Sequence, residues 1–377
     1  MGQVILESNG RYELLDTWFQ ENRVTCVMLV CGRSILRQAI NTYFEDLPTR
    51  LGVKLVRFMD FQPNPRYESV VEGVRLFREA CCDGILAVGG GSAMDVAKCI
   101  KLYAYLPGNG ENGAWLKEAI TENEVPFLAM PTTSGTGSEA TRYAVIYYND
   151  AKQSITDQSC IPGTVLMDAS VLKTVPDYQK KATMMDALCH AIESYWSVNS
   201  TEVSRAYSAA AIRGVMEHMG GYLANTDEGN AGMLIAANTA GKAINITQTT
   251  AGHAMCYKIT GLFGCAHGHA AALCDRILYP WMIENIDKCV DSRGEDYLRG
   301  IMNEIGQALG CEDAVKGADK FAEIFTRLGL EIPSATDSQI AELTRSVNPV
   351  RLKNHPVDLN TDVIETLYRK ILNGAGQ

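Results

Sequence analysis

The stretch Met185-Asp-Ala-Leu-Cys-His-Ala-Ile-Glu193 is the most informative part of this sequence. Asp186 and His190 stand four residues apart in a helical pattern, so a carboxylate and an imidazole share one helical face. Such a pair alone is more often a cap or a surface hydrogen bond than a metal site. His253 and His267 follow later in the chain. Three imidazoles and one carboxylate can bind Fe²⁺ or Zn²⁺, so these four residues are predicted to form a metal site.

Length and composition describe a globular protein with room for two domains. The chain has 377 residues, of which 46% are hydrophobic and 21% are charged. Its formal net charge of −10 disfavours a nucleic-acid partner or an anionic membrane surface and favours a small-molecule substrate. The twelve cysteines include no CxxC pair, and neither a secretory signal nor a long apolar span is visible. We therefore expect reduced thiols, no membrane association and a cytoplasmic location.

The first half of the sequence alternates short β-branched runs with amphipathic helical patterns, which predicts a parallel sheet flanked by helices. The predicted strands are 24–30, 54–58, 84–88 and 126–130, and the predicted helices are about 35–47 and 67–80. From about residue 180 the sequence becomes alanine-rich and helical as far as 377, with loops near 223–227, 331–335 and 348–358. We therefore predict an α/β domain over residues 1–180 and an all-α domain over residues 181–377.

Two loops rich in small residues follow predicted strands of the first domain. They are Gly89-Gly-Gly-Ser-Ala-Met-Asp-Val-Ala-Lys98 and Pro131-Thr-Thr-Ser-Gly-Thr-Gly-Ser-Glu139. Glycines let phosphate oxygens approach the backbone, and a following helix N-terminus offers N–H donors and a favourable dipole. The first loop departs from the G-x-G-x-x-G fingerprint, and a tight structural turn is the alternative interpretation. Two such loops at strand ends favour one phosphate-rich ligand.

Taken in order, these motifs resemble the iron-containing (group III) alcohol dehydrogenases over nearly the whole chain. The resemblance implies a dehydroquinate synthase-like fold, in which residues 1–180 bind a nicotinamide cofactor and residues 181–377 bind metal and substrate. It also implies Fe²⁺, or Zn²⁺ or another divalent ion, on Asp186, His190, His253 and His267, together with NAD(H) or NADP(H). The cofactor contacts that it implies are Asn64, Pro65, Gly89, Gly90, Gly91, Ser92, Asp95, Thr132, Thr133, Ser138 and Lys152. We also expect a homodimer or a larger homo-oligomer.

Two positions depart from the family pattern. Many members carry a second histidine four residues after the third ligand, often suggested as a proton relay, whereas this chain has Tyr257 there and lacks that histidine. Tyr257 remains a candidate catalytic residue because its hydroxyl can donate a hydrogen bond. Members that prefer NAD tend to have an aspartate just after the first strand, where this chain has Gly32-Arg-Ser34. Gly32 is thus a candidate cofactor contact, and the choice between NAD and NADP stays open.

Within the family, several stretches resemble reductases of two-carbon aldehydes that carry a phosphonate or a sulfonate. They are the segments 193–201 and 243–254 and the late Arg351-Leu-Lys-Asn-His-Pro-Val357. The expected reaction is reduction of phosphonoacetaldehyde to 2-hydroxyethylphosphonate. The alternatives are sulfoacetaldehyde reduction to isethionate and a general short-chain alcohol dehydrogenase. Arg142, Arg351 and Lys353 are candidate contacts for the substrate anion.

The roles of the other histidines and two rival functions complete the expectations from the sequence. His269 is not interpreted as a ligand because four ligands are already assigned, and His218 is expected at or near the surface. His355 either belongs to a basic loop or approaches the substrate. A zinc enzyme related to glycerol dehydrogenase or dehydroquinate synthase, and a non-catalytic metal- or nucleotide-binding protein, are the rival functions.

Overall fold

The computed structural model describes residues 2–8 and 10–373, which fold as two compact units. The first comprises Met1–Thr133 and Gly137–Thr174, and the second comprises Ser134–Thr136 and Val175–Gln377. The expected assignment of cofactor binding to residues 1–180 and of metal and substrate binding to residues 181–377 stays a prediction. Among the described residues, no helix combines the length and apolarity needed to cross a membrane.

The first unit contains every strand found in the described residues. The strands are β1 (Val4–Ser8), β2 (Cys26–Cys31), β3 (Lys54–Phe58), β4 (Gly84–Gly89), β5 (Phe127–Pro131), β6 (Tyr143–Tyr148), β7 (Ala151–Thr156) and β8 (Thr164–Asp168). Its helices are α1 (Leu14–Glu21), α2 (Ala39–Leu51), α3 (Tyr67–Glu79) and α4 (Gly91–Tyr103). A six-stranded sheet has the order β1-β8-β5-β4-β2-β3 with parallel pairing throughout, and β6 and β7 form a separate antiparallel hairpin.

The strand order places the predicted ligand loops at one edge of the sheet. β2, β4 and β5 are neighbours, so the segments after their carboxyl ends emerge on the same side. From β2 the chain continues to β3 on one side and then to β4 on the other, which creates a topological switch point between β2 and β4. Open α/β sheets bind ligands at such a point.

The predicted elements of this unit are largely present, with shifted ends. β3 has the predicted bounds, and β2, β4, β5 and α3 differ from prediction by one or two residues. The helix expected at about 35–47 is wrong at its start, because a 3₁₀ turn at Arg33–Arg37 is followed by an extended Gln38 before α2 begins. The sequence analysis did not predict β1, β6, β7, β8 or α1. β7 is largely polar and partly exposed, so it gives no apolar signal, whereas β1 begins with three apolar residues and β6 is apolar throughout.

The second unit is built only of helices within its described residues. They are α5 (Asp177–Trp196), α6 (Glu202–Leu223), α7 (Asp227–Thr247), α8 (Ala251–Phe263), α9 (His267–Glu284), α10 (Glu295–Ala308), α11 (Ala314–Arg327), α12 (Asp337–Ser346), α13 (Pro349–Leu352) and α14 (Thr361–Asn373). Every residue of α5 from Ala182 to Trp196 is buried, because α6, α7 and α9 pack around it. The predicted fold class is confirmed. The predicted loop 348–358 contains the short helix α13, and residues 374–377 of the expected helical segment lie outside the described residues.

Candidate active site

Three helices of the second unit bring the predicted metal ligands together. α5 carries Asp186 and His190, α8 carries His253 near its start, and α9 begins at His267. Asp186 Oδ1 lies 3.5 Å from His253 Nε2, 3.9 Å from His267 Nε2 and 4.0 Å from His190 Nε2. One carboxylate oxygen is therefore surrounded by three imidazole nitrogens.

The residues present fit a bound divalent cation. Ligand atoms of Asp186, His253 and His267 all lie within 4.8 Å of one another. Asp186 Oδ1 and His253 Nε2 are buried and have no hydrogen-bond partner among the described residues. Leaving buried polar atoms unpaired is costly, and a cation between them would satisfy both. Imidazole nitrogen and carboxylate oxygen suit borderline metals such as Fe²⁺ and Zn²⁺.

His190 lies at the edge of this group. Its ring stacks on that of His253, with centroids 4.4 Å apart and planes inclined by 18°. It shares the face of α5 with Asp186, as the four-residue spacing predicts. However, the group whose ligand atoms lie within 4.8 Å of one another contains only Asp186, His253 and His267. A role for His190 as the fourth ligand stays a prediction.

Two glycines explain why α8 and α9 can approach α5 so closely. A Cβ atom on Gly252, which precedes His253, would lie 2.7 Å from Glu193 Oε1 and 2.0 Å from Asp275 Oδ1. A Cβ atom on Gly268, which follows His267, would lie 2.5 Å from Asp186 Cβ and 2.1 Å from the carbonyl oxygen of Ala182. Any other residue would push the helix starts away from α5.

Glu193 is a functional candidate to which the sequence analysis gave no role. Its Oε1 contacts His253 Nδ1, and its Oε2 accepts hydrogen bonds from the backbone N–H (2.6 Å) and hydroxyl (2.7 Å) of Thr250. Burial opposes ionisation, but His253 and then Thr250 hold the pKa of Glu193 below its ordinary value. This carboxylate turns Nε2 of His253 towards Asp186, as outer residues commonly orient metal-binding histidines. The sequence could have indicated this role through spacing, because Glu193 lies on the same helical face as Asp186 and His190.

The two carboxylates also affect protonation of the histidine between them. Burial disfavours charge on His253, but Glu193, followed by Asp186, raises its pKa to about 10. Without a cation, His253 therefore holds two ring protons at neutral pH. A metal ion must displace the proton on Nε2, so binding and proton release are coupled.

Glu193→Gln is expected to weaken metal affinity by about 10–100-fold, because the amide keeps the size of the side chain but loses the charge that orients His253. Metal competition against a chelator measures the effect. Glu304→Gln is the matched control, since Glu304 is exposed and accepts a bond from Tyr195 at 3.0 Å. Equal affinity in Glu193→Gln and wild type would contradict the orienting role.

The two glycine-containing loops meet in the first unit. Gly90 caps α4, and a Cβ atom there would lie 3.2 Å from Thr133 Oγ1. The backbone N–H of Thr132 donates to the carbonyl of Gly89 at 3.0 Å. Gly91 and Ser92 form the first turn of α4, whose leading N–H groups have no acceptor in their own helix. Predicted contacts from both loops thus lie side by side, next to a helix N-terminus suited to a phosphate.

A buried lysine holds the second of these loops. Lys98 of α4 donates from Nζ to the carbonyl oxygens of Ser138 (2.6 Å), Tyr143 (2.7 Å) and Thr141 (2.8 Å). Asp95 accepts bonds from the Ser138 hydroxyl and the Val145 N–H, each at 3.1 Å. The predicted cofactor contacts Asp95 and Ser138 are therefore bonded to each other, and their side chains shape the loop. The sequence analysis gave Lys98 no role of its own. A single charge within the otherwise uncharged run Val96-Ala-Lys-Cys-Ile100 could have indicated a buried lysine.

Lys98→Met is expected to lower the free energy of unfolding by about 2–3 kcal/mol, because the carbonyl groups of Ser138, Thr141 and Tyr143 lose the charged donor that they share. Urea denaturation measures the change. Lys101→Met is the comparison, since buried Lys101 on the same helix donates to one carbonyl, that of Asn123 at 3.0 Å. An equal loss in both variants would show that burial alone, rather than the loop contacts, accounts for the effect.

Comparison with known proteins identifies the family. Residues 3–169 match the family model described as iron-containing alcohol dehydrogenase, and residues 180–372 match the C-terminal model of the Fe-containing alcohol dehydrogenase family. This chain belongs to the iron-containing alcohol dehydrogenases. The family predicted from the motifs is confirmed, and the chain is accordingly an oxidoreductase.

Individual relatives show how broad this family is. The NAD-dependent methanol dehydrogenase of Bacillus methanolicus is 32% identical over 61% of this chain and 60% of its own length. The 1,3-propanediol dehydrogenase of Klebsiella pneumoniae is 31% identical over 74% of this chain and 71% of its own length. The matched region thus spans less than two thirds of the methanol dehydrogenase.

Solved structures match over nearly the whole chain. Sulfoacetaldehyde reductase from Bifidobacterium kashiwanohense, in complex with NAD⁺, has a TM-score of 0.87 and 25% identity, covering 99% of this chain and 98% of its own. The iron-containing alcohol dehydrogenase of Thermococcus thioreducens has a TM-score of 0.88 and 23% identity, covering 99% of both chains, and supports the fold alone. Iron-containing alcohol dehydrogenases use NAD(H) and iron or another divalent metal.

The other predicted cofactor contacts of this alcohol dehydrogenase also lie in its first unit. Gly32 follows β2 at the switch-point edge. Asn64 is exposed with a φ of 58°, and the carbonyl of the adjacent Pro65 accepts from Tyr147 N–H at 2.8 Å. Tyr147 is the cross-strand partner of Lys152 in the β6–β7 hairpin. Asn64, Pro65 and Lys152 are thereby brought into one neighbourhood, whereas their roles stay predictions.

The predicted substrate contacts differ in how firmly they are held. Arg351 Nη1 donates to the Tyr257 hydroxyl at 3.0 Å, and the Tyr257 ring stacks on His267 with centroids 5.6 Å apart. Lys353 is exposed. Arg142 belongs to the first unit, where its Nε donates to the hydroxyl of Tyr143 at 3.2 Å. Arg351 is thus fixed by Tyr257, whose ring stacks on a predicted metal ligand.

The three remaining histidines also lie in the second unit. His269 is buried, and its ring nitrogens lie 3.0 Å from the Tyr178 hydroxyl and 2.9 Å from the Glu331 carbonyl, so neither is directed at a metal. His355 is 1% exposed and packs at right angles to Trp196. Burial lowers the pKa of His355 to about 4, so its ring is neutral. His218 is partly buried, against Gly232.

Proposed function

We propose that this iron-containing alcohol dehydrogenase reduces a short aldehyde that carries an anionic group to the corresponding primary alcohol. Phosphonoacetaldehyde is the preferred substrate, and sulfoacetaldehyde is the alternative. The observation that carries the proposal is the position of Arg351, whose guanidinium is bonded to Tyr257 next to the predicted ligand His267. A fixed cation beside the reacting centre favours an anionic substrate over a neutral one of the same length.

The proposed mechanism assigns a task to each group of residues. Asp186, His190, His253 and His267 would hold the cation, and Glu193 keeps His253 in the orientation that directs Nε2 towards Asp186. When bound, the metal would polarise the carbonyl oxygen, the nicotinamide would supply the hydride, and solvent would supply the proton that completes the alcohol. The loops at Gly89–Gly91 and Thr132–Thr133 would hold the cofactor phosphates, with N–H groups of α4 as donors. Arg351 would orient the substrate through its anionic end.

Two further observations support an anionic aldehyde. The sulfoacetaldehyde reductase of Bifidobacterium kashiwanohense covers this chain almost completely at 25% identity. The net charge of −10 would repel an anionic substrate unless local cations opposed it, and Arg351 is such a cation. The proposal leaves NAD and NADP as equal candidates, because Gly32 and its neighbours provide no carboxylate for the ribose diol.

An aldehyde panel tests this function. The iron-loaded enzyme is assayed with phosphonoacetaldehyde, sulfoacetaldehyde and propanal, using NADH and NADPH in turn. We expect kcat/KM for the preferred anionic aldehyde to exceed that for propanal by about tenfold or more, since one charge-assisted bond contributes about 1.5–3 kcal/mol. Propanal turned over as efficiently as either anionic aldehyde would contradict the proposal.

The second candidate is a general short-chain alcohol dehydrogenase. It is favoured by the matches to a methanol dehydrogenase and a 1,3-propanediol dehydrogenase, each above 30% identity. Equal use of neutral and anionic aldehydes in the same panel would select it. A cytoplasmic location and a homo-oligomeric state also remain predictions.

A further inference from the structure

His267, Tyr257 and Arg351 form a continuous stack at the metal-binding face of the second unit. The His267 and Tyr257 rings are nearly parallel, inclined by 19°, with centroids 5.6 Å apart. On Tyr257, Arg351 places its guanidinium carbon 5.0 Å from the ring centroid and donates from Nη1 to the hydroxyl at 3.0 Å. The tyrosine thus contacts the guanidinium through both its ring and its oxygen, which restrains a side chain that is otherwise flexible.

Hydrogen bonds hold both ends of the segment that carries Arg351. The Asn348 side chain caps α13 by accepting from the backbone N–H of Val350 at 2.9 Å. Asn354 donates to Gln248 Oε1 at 3.1 Å and accepts from Asn199 Nδ2 at 2.9 Å. His355, one residue further on, is buried. Bonds on both sides of Arg351 therefore fix its backbone, and Tyr257 fixes its end.

We propose that Tyr257 is a positioning residue, which holds Arg351 so that its guanidinium binds the phosphonate or sulfonate of the substrate. This inference rests on the proposed function and specifies which residues select the substrate. A guanidinium has five N–H donors in a planar fork, so several remain after the bond to Tyr257, and the fork matches the oxygens of such anions. Lys353, on the same segment, is exposed, and its charge is screened by solvent.

The alternative is that the Tyr257–Arg351 bond only docks α13 onto α8. In that case, removing the Tyr257 hydroxyl would lower the stability of the protein. Any change that it caused in anion binding would be the same whether or not Arg351 was present. A double-mutant cycle separates the two, because an interaction between two residues makes their effects non-additive. Tyr257→Phe is suitable, since it keeps the ring against His267 and removes only the hydroxyl.

The experiment uses wild type, Tyr257→Phe, Arg351→Gln and the double variant, each loaded with iron and NAD⁺. Calorimetry measures the binding of ethylphosphonate and ethanesulfonate, which carry the anion but cannot react. Arg351→Gln is expected to weaken binding of the preferred anion by about 10–100-fold, and Tyr257→Phe by about 3–10-fold. In the double variant the loss should equal that of Arg351→Gln alone. The weaker-binding probe identifies the disfavoured anion.

Two results overturn the inference. Unchanged binding in Tyr257→Phe would show that the hydroxyl does not position Arg351. Additive losses in the double variant would show that the two residues act independently. Arg345→Gln, which removes an exposed arginine from α12, controls for loss of one positive charge and should leave both affinities unchanged. If Arg351→Gln fails to fold, Arg351→Lys keeps the charge and should still weaken binding, because the planar fork is lost.

The aldehyde panel and the binding experiment together distinguish failure of the proposed function from failure of this inference alone. Wild type that turns over propanal as efficiently as phosphonoacetaldehyde and sulfoacetaldehyde, and binds neither probe, contradicts both the function and the inference. Wild type that prefers an anionic aldehyde, with the same preference kept in Arg351→Gln, contradicts the inference alone.

Discussion

His267→Ala is expected to lower metal content and turnover together, with kcat reduced by about a thousandfold. The imidazole of His267 faces Asp186 Oδ1 across 3.9 Å, and its side chain is 39% exposed. Removing it therefore deletes one predicted ligand without opening a cavity in the core. A Lewis acid contributes several kcal/mol to stabilising charge on the carbonyl oxygen, and each 1.36 kcal/mol is a factor of ten in rate. Elemental analysis after iron loading and steady-state kinetics measure the two losses.

His218→Ala is the matched control for this experiment, because it removes an imidazole from α6, where the ring packs against Gly232. It should keep its metal and its turnover. If His267→Ala retained full metal occupancy and full activity, the assignment of the ligands would be wrong. Loss of turnover with full metal occupancy would place His267 in contact with substrate rather than metal.

Gly90→Val is expected to raise the dissociation constant for the nicotinamide cofactor by about a hundredfold, which corresponds to about 3 kcal/mol. Gly90 precedes α4, and a Cβ atom there would already lie 3.2 Å from Thr133 Oγ1 and 3.5 Å from Thr133 Cγ2. Two further methyl groups would occupy the space through which a phosphate reaches the helix N-terminus. NADH fluorescence measures the affinity, and metal content should not change.

Two other glycine variants calibrate this result. Gly90→Ala adds only the Cβ atom and should have a smaller effect than valine. Gly163→Val is the control, because a Cβ atom there has no neighbour within 4 Å and Gly163 is exposed in the same unit. Unchanged cofactor affinity in Gly90→Val would show that the loop is a structural turn only.

The sequence was most informative where local spacing determines geometry. Asp186 and His190 share a face of α5 because a helix repeats every 3.6 residues, and this holds wherever the helix is packed. The Gly89–Gly91 run follows a strand and opens a helix, as its flanking residues predicted. The strand β7 was missed because its largely polar residues form no apolar run, whereas the apolar run of β6 was present in the sequence and was not recognised as a strand.

Contacts between distant segments required the tertiary structure. The sequence contains Glu193, but its bonds to Thr250 and His253 exist only because Gly252 allows α8 to approach α5. Asp95 stays a predicted cofactor contact, and the structure adds that the side chains of Asp95 and Lys98 organise residues 138–145. The pairing of Arg351 with Tyr257 joins residues on separate helices and left no trace in local spacing.

The sequence by itself thus determined the family and the class of each unit, because motif residues and periodicity depend on near neighbours along the chain. The metal ligands and cofactor contacts stay predictions. The tertiary structure decided which side chains meet. It directed three imidazole nitrogens to Asp186 Oδ1, gave the ring nitrogens of His269 other partners, buried His355, and joined Arg351 to Tyr257, whose ring stacks on the predicted ligand His267. The physical reason is that contacts between distant side chains depend on how closely the helices pack, and this packing is set by residues far apart in the chain.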